Sequence, residues 1–302
     1  MSGGFEGWKA YLYDPSMAAA AIFIVLYGIV TGMHSYYLLR TRTQFFIPMV
    51  IGGYFEFIGY IGRAISSSQT PDWTLGPYIM QSVLLLVAPA LFAASIYMYL
   101  GRIIALVRGE KFSFIRVSWM TKIFVAGDAL SFLMQSSGMS INLHCLYGLI
   151  VVGAGILVTN SQQMGENIIV GGLFVQIIFF GFFVICSCIF QRGISNNATA
   201  LRNASTTPWL KHMYALYASS ILILIRSIFR VVEYLQGWDG SLLRNEAFIY
   251  VFDALLMWLV LVIFVIIHPS EVNCLLGRGR VMITKGGLSI SEVAVETSVQ
   301  TV

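Results

Sequence analysis

The sequence predicts an all-α integral membrane protein: a bundle of seven transmembrane helices, with the N-terminus outside and the C-terminus cytoplasmic. Three observations carry this. Of the 302 residues, 58% are apolar and 11% charged, against roughly 45–50% and 25% in a soluble domain. Apolar runs long enough to cross a bilayer recur along the chain, and basic residues gather on alternate connections. A mean hydropathy of +0.80 excludes disorder. The formal charge of +4 is too small and scattered for a nucleic-acid footprint, so no nucleic-acid partner is expected. The four cysteines lack the spacing of a disulfide framework or zinc cluster.

Residues 1–16 are polar and nearly neutral and read as a short extracellular N-terminus. The membrane domain follows over 17–269, with spans at 17–39, 44–65, 78–101, 119–139, 163–190, 213–236 and 246–267. Each is long enough for a hydrocarbon core of about 30 Å. The first is followed by Arg40 and Arg42 and acts as a signal anchor. Its Gly28 and Gly32 form a GxxxG pattern, which serves either a homodimer face or close packing within the bundle. Pro71 and Pro77 break the chain after the second span, and Pro89 predicts a kink in the third. The basic stretch 102–122 separates spans three and four. The polar stretches 193–208 and 236–245 bound the sixth, and His268-Pro269 closes the seventh. Residues 270–302 are small, polar and glycine-broken, and read as a flexible cytoplasmic tail in which Cys274 is a candidate for palmitoylation.

Topology follows from the excess of Lys and Arg in short cytoplasmic loops. Seven spans place Arg40, Arg42, Arg102, Arg108, Lys111, Arg116, Lys122, Arg192, Arg202, Lys211, Arg278, Arg280 and Lys285 inside, thirteen of the eighteen basic residues, and leave Lys9 and Arg244 outside. An eighth crossing through the apolar run 141–159 would cut this to eight inside against seven outside. That run is therefore an atypical insert, not a span: an outer-face excursion, a re-entrant piece or an extension of the fourth helix. The sequons at Asn197 and Asn203 then face the cytoplasm and stay unglycosylated.

Seven ionisable residues lie within the spans: Glu56, Arg63, Asp128, Arg226, Arg230, Glu233 and Asp253. Each costs about 2.5–3.5 kcal/mol near a helix centre, so they must pair, face the interior or touch water. Glu56 and Arg63 are seven apart, as are Asp128 and Gln135, and Glu246 and Asp253. Arg226, Arg230 and Glu233 follow i, i+4, i+7, so each set shares one helix face. The topology puts these stripes in the middle and outer half of the membrane, with Gln81 and Gln176 nearby. We expect one polar cavity open toward the outside. Glu56, Asp128, Asp253, Gln81, Gln135 and Gln176 would bind substrate; Arg63, Arg226, Arg230 and Glu233 would form structural ion pairs; Glu246 would sit at the rim. The surplus of acid suits an amphipathic cation. The alternative is that all these groups pair only to set helix register.

No catalytic residue, metal site or cofactor is expected. The sequence has no GxxxxGK[ST], HExxH or GxSxG, and no lysine in the seventh span to hold retinal. Cys186 and Cys188 point roughly 200° apart on a helix and cannot share a metal. His34, His212 and His268 fall at inner span ends, where interfacial histidines outweigh a metal or haem reading.

Several segments resemble the fungal lipid-translocating exporter family, the RTA-like proteins. They are EFIGYIGR at 56–63, YIMQSVLLLVAPA at 78–90, LGRI at 100–103, DALSFLMQSSG at 128–138, GENIIVGGLFVQ at 165–176, RSIFRVVEY at 226–234 with Gly237, NEAFIYVFD at 245–253, and His268-Pro269. The resemblance spans about residues 11–270. It implies seven transmembrane helices in a fungal membrane, chiefly the plasma membrane, and outward movement of sphingoid long-chain bases with resistance to toxic amphiphiles. It implies porphyrin or haem traffic in one branch, and it supplies no catalytic residue. One stretch departs from the family pattern: 139–154 interrupts a junction that would otherwise join Ser137-Gly138 to Gly155, which predicts a translated retained intron. The resulting reading is a lipid translocator that hydrolyses no ATP, with membrane lipids as partners. A seven-helix lipid-sensing receptor or regulator of lipid asymmetry is the first alternative, and a porphyrin or haem transporter the second.

Overall fold

The computed structural model describes residues 15–70, 73–152, 155–197, 208–236, 245–277, 283–284 and 288–289. Among these described residues eight helices follow one another: α1 Met17–Thr41, α2 Ile47–Ser68, α3 Leu75–Leu106, α4 Val117–Val152, α5 Gly155–Ser195, α6 Trp209–Gln236, α7 Glu246–Ile266 and α8 Ser270–Leu275. Two short strands, β1 Ile283–Thr284 and β2 Leu288–Ser289, pair antiparallel beyond them. Six helical segments are long and apolar enough to cross a membrane: Met17–Thr41, Gln44–Ser68, Leu75–Leu106, Met164–Ser195, Trp209–Gln236 and Glu246–Ile266. Helix α4, whose residues from 138 onward lie outside the residues with described side chains, is not among them.

Local chemistry sets the helix ends. Ser16 caps α1 by accepting from the Ala19 amide at 3.4 Å, and Arg42 ends it in the left-handed region at φ 52°. Pro48 occupies the first turn of α2, where its missing N–H costs nothing. Helix α3 runs on through Pro89. Glycine lets α1, α2 and α3 approach closely: a Cβ at Gly52 would lie 2.7 Å from the Phe92 ring, and one at Gly53 would lie 2.6 Å from Thr31 Oγ1. Gly28 packs toward Phe57 within the chain, whereas a Cβ on Gly32 would meet nothing within 4 Å. The two glycines of the GxxxG pattern thus differ in surroundings. Large apolar side chains such as Ile22, Val25, Ile29, Ile178 and Leu235 point outward, as expected of helices surrounded by lipid.

Two bundle ends can be told apart by contacts. At one, the Ser16 amide donates to Glu246 and Ser67 Oγ donates to the Pro15 carbonyl, joining the starts of α1 and α7 to the end of α2. At the other, Arg102 meets Asn273 and Lys211 meets Glu271. This second end also carries Arg40, Arg108, Lys111 and Arg192.

The apolar insert takes one of its expected forms, an extension of the fourth helix, and also lengthens the fifth; other features differ from expectation. The backbone over 141–152 continues α4 and that over 155–159 begins α5, so the apolar insert extends two helices; the side chains of 138–163 lie outside the described residues. At 36 and 41 residues, α4 and α5 reach about 54 and 62 Å at 1.5 Å per residue, well beyond a 30 Å core. Helix α7 contains a π-helical turn over Tyr250–Leu255. The segment after residue 269 begins packed: Pro269 ends the preceding run and α8 buries Val272, Asn273 and Cys274. Residues 1–14, Asn203 and the tail beyond 277, apart from β1 and β2, lie outside the described residues.

Candidate functional site

The polar stripes assemble into two separate centres. The first is ionic and joins α2, α6 and α7. Arg226, Arg230 and Glu233 share a face of α6 because residues three, four and seven apart align on a helix. Arg226 Nε donates to one oxygen of Asp253 and Arg230 Nη2 to the other. Arg226 Nη2 also donates to the Leu85 carbonyl of α3 at 2.9 Å, and Arg230 Nη1 to Glu233 at 3.0 Å. Asp253 sits on the π-helical turn, a rare geometry concentrated at functional sites. Toward the α1 start, Arg63 donates to Glu246 at 2.9 Å and to the Tyr250 hydroxyl at 3.0 Å, its guanidinium 5.1 Å from the Tyr250 ring centre. The Ser16 amide donates to both Glu246 oxygens, at 3.0 and 2.9 Å.

Three bases are thus matched by Asp253, Glu233 and Glu246. A fourth acid, Glu56, is 1% exposed and within electrostatic reach of Asp253, Arg226 and Arg230, yet its Oε1 has no hydrogen-bond partner. Tyr27 lies beside it, but the Tyr27 hydroxyl donates to the Ala254 carbonyl at 2.7 Å. The Tyr60 hydroxyl is also buried without a partner. Phe23, Tyr27, Tyr60 and Tyr250 stack around this point with ring centres 5.3–6.1 Å apart in successive pairs.

The second centre lies in the α3–α4–α5 seam. Asp128, 4% exposed, accepts from the Tyr97 hydroxyl at 2.8 Å through Oδ2, while its Oδ1 has no partner. One turn on, Ser131 Oγ donates to the Gly172 carbonyl at 2.7 Å. Gln135 Nε2 donates to Ser131 Oγ at 2.7 Å and to Gln176 at 3.5 Å, leaving Gln135 Oε1 unpartnered. Gln81 lies on the α2–α3 contact, its Cβ 3.5 Å from where a Cβ on Gly62 would stand.

The expectation of one shared cavity is therefore corrected: Asp128, Gln135 and Gln176 form one group, and Glu56 belongs with the ionic centre. Asp253, expected to face a ligand, is the counter-ion of two arginines. Arg63 pairs across helices with Glu246. Sequence reasoning missed Tyr27, Tyr60, Tyr97 and Tyr250. Tyr60 follows Glu56 by one turn and was open to discovery by spacing; the others are recognisable only through contacts between helices. A groove of about 370 Å³ between α1 and α7 is lined by Ala19, Ile22, Phe23, Ala247, Tyr250 and Val251, with Glu246 at its side. Its walls suit an alkyl chain, and its polar edge is the Arg63–Glu246 pair.

At the basic end, Glu271 of α8 lies 2.5 Å from Lys211 and 3.2 Å from His212 Nε2. The His212 imidazole first, and Lys211 with it, holds the Glu271 carboxyl down at about 2. Burial, aided by His34 and His212, pushes His268 down to about 3, and its Nδ1 accepts from the Ser270 amide at 3.2 Å. Among the described residues, no three His, Cys, Asp or Glu side chains are grouped to hold a metal.

The family described as RTA1 like protein matches residues 49–274, from the first turn of α2 to α8. The chain belongs to this RTA1-like family. Protoporphyrin uptake protein 1 of Saccharomyces cerevisiae is 39% identical over 299 residues, covering 87% of this chain and 93% of its own length. Protein RTM1 of the same organism is 35% identical over 305 residues, 88% of this chain and 93% of that protein. A more distant relative, the sphingoid long-chain base transporter RSB1, is 25% identical over 290 residues, 85% and 72% of the two chains. No solved structure matches. The RTA1-like match spans the residues of both polar centres except those of α1, and with the six candidate spans it makes this a multi-pass membrane protein.

Proposed function

We propose that the protein moves single-chain amphipathic cations, of the sphingoid long-chain base type, toward the outer leaflet of the fungal plasma membrane without hydrolysing ATP. In this reading α4 joins the six apolar helices as a seventh crossing, with the N-terminus outside and the basic end cytoplasmic, and Gly32 remains open to a second copy. The observation that carries it is the pairing pattern. Among the described residues three arginines take three acids, while Glu56 and Asp128 are buried carboxyl groups with an oxygen free and no basic partner. A buried acid without a counter-ion is costly, and a ligand ammonium removes that cost. The apolar groove beside Glu246 supports the chain-like part of the substrate, and the name of the relative RSB1 supports its class.

The test is translocation of a fluorescent sphingoid base in proteoliposomes. Wild type is expected to move the probe, with Glu56→Gln and Asp128→Asn each reducing the rate at least tenfold while remaining folded. Unchanged rates in both variants remove these acids from the mechanism. No movement by wild type favours a lipid-sensing receptor. A second reading, porphyrin transport, is favoured by the 39% identity to protoporphyrin uptake protein 1. Cellular accumulation of protoporphyrin that depends on this protein, and not on Glu56 or Asp128, selects it instead.

A further inference from the structure

The ionic centre contains four acids and three bases. Asp253, Glu233 and Glu246 take Arg226, Arg230 and Arg63, so the centre is neutral only when Glu56 carries a proton. Tyr27 stands beside Glu56 and donates its hydroxyl proton to the Ala254 carbonyl at 2.7 Å.

The groups that face Glu56 are Tyr27 from α1, Tyr60 from its own helix, Arg226 and Arg230 from α6 and Asp253 from α7. Both arginines are already committed to Asp253. Two unpartnered oxygens remain, Glu56 Oε1 and Tyr60 Oη. Among the described residues Glu56 has no ion-pair partner of its own. A cationic head group brings one positive charge; a proton on the carboxyl brings the same charge. The two are alternatives at a single place.

We propose that Glu56 is an exchange site at which one proton and one cationic head group compete, so that each cation carried outward returns one proton inward. The proposal rests on the translocator reading above and adds its energy source. With the site facing the cytoplasm, the carboxyl O–H bond breaks, the proton passes to cytoplasmic water, and the carboxylate pairs with the incoming cation. With the site facing outward, a proton from external water re-forms the acid and the cation leaves. The charge of the centre is the same in both loaded states, so one full cycle exchanges one cation for one proton with no net charge moved. Intramembrane acids that exchange protons are a recurrent device of pumps and transporters.

The experiment uses the full-length protein in sealed proteoliposomes containing a pH-sensitive dye. The probe is a fluorescent long-chain trimethylammonium salt, which cannot cross by shedding a proton. An imposed pH difference of one unit is expected to drive the probe to about a tenfold concentration ratio, accumulating on the acidic side, with one proton counted across per cation. A potassium-valinomycin potential is expected to leave that ratio unchanged. Glu56→Gln imitates the protonated acid; it is expected to keep the wild-type melting temperature and to lose proton movement. Probe movement without proton counterflow in wild type overturns the exchange and leaves the translocator reading standing. Proton-coupled movement that survives in Glu56→Gln overturns the assignment to this residue. Failure of wild type to move either this probe or the sphingoid base overturns both readings.

Discussion

Asp253→Asn is the sharpest perturbation of the ionic centre. The native carboxylate accepts from Arg226 Nε and Arg230 Nη2 and is itself 2% exposed. Arg226 is 3% exposed, while the Arg230 side chain is 20% exposed. Removing one partner of a buried pair costs about 3–5 kcal/mol because the other charge is left uncompensated. The two arginines are not stranded equally. Arg230 keeps Glu233 at 3.0 Å, whereas Arg226 keeps the neutral Leu85 carbonyl at 2.9 Å as its hydrogen-bond partner, with Glu56 in electrostatic reach. The expected loss is therefore about 3 kcal/mol, the lower end of that range, carried mainly by Arg226. At about 2–4 °C per kcal/mol for a chain of 150–250 residues, the melting temperature falls by about 10 °C. Thermal unfolding of the purified full chain in detergent, followed by tryptophan fluorescence, measures it. Adding Arg226→Gln removes the stranded charge, so the double variant should be more stable than the sum of the single losses implies, by about 1–3 kcal/mol. A melting temperature within 2 °C of wild type, or strictly additive losses, refutes the pairing argument.

Other outcomes follow from the same geometry. Glu271 has a folded-state value of about 2 against an ordinary 4.5, because His212 and Lys211 favour its charged form. Its contribution is present above 4.5 and is lost as the pH falls from 4.5 toward 2. Hydrogen exchange over 270–277, corrected for intrinsic rates, should accelerate across that window in wild type. Glu271→Gln should exchange fast throughout it and show no step. Gly52→Ala drives a methyl against the Phe92 ring and the Ala88 carbonyl. It should cost about 1–3 kcal/mol by overpacking, read as a lowered melting temperature. Gly32→Ala, with nothing within 4 Å, should leave the melting temperature at or slightly above wild type.

The candidate site was legible wherever one helix determines it. The spacing of Arg226, Arg230 and Glu233 places them on one face whatever surrounds α6, and their shared role in one ionic centre follows that spacing. Glu56 and Arg63, seven apart, are both buried on α2. What the spacing leaves open is the azimuth of the neighbour. Asp253 has no base within one turn on its own helix, which marks it as a free acid when α7 is read alone; two arginines of α6 in fact reach it. The backbone partners Ser16, Leu85 and Ala254 carry no side-chain signal at all.

The insert at 141–159 teaches a related lesson. Charge asymmetry argues against counting it as a separate crossing helix, because that rule depends only on which loops hold Lys and Arg. Its form, helical backbone extending α4 and α5, depends on two long helices lying against each other. The sequence by itself determined a helical membrane protein of the RTA1-like family, its apolar segments and the residues too costly to leave unpaired in lipid. Those are consequences of composition and of the 3.6-residue repeat, which act within one segment. Only the tertiary structure decided that the polar stripes divide into two centres, that Asp253 is spent on arginines and that Glu56 and Asp128 are not. The physical reason is that pairing is a property of facing surfaces, and the rotation of each helix against its neighbours is set by packing: small residues at Gly52 and Gly53, aromatic stacks, and the wider π-helical turn of α7.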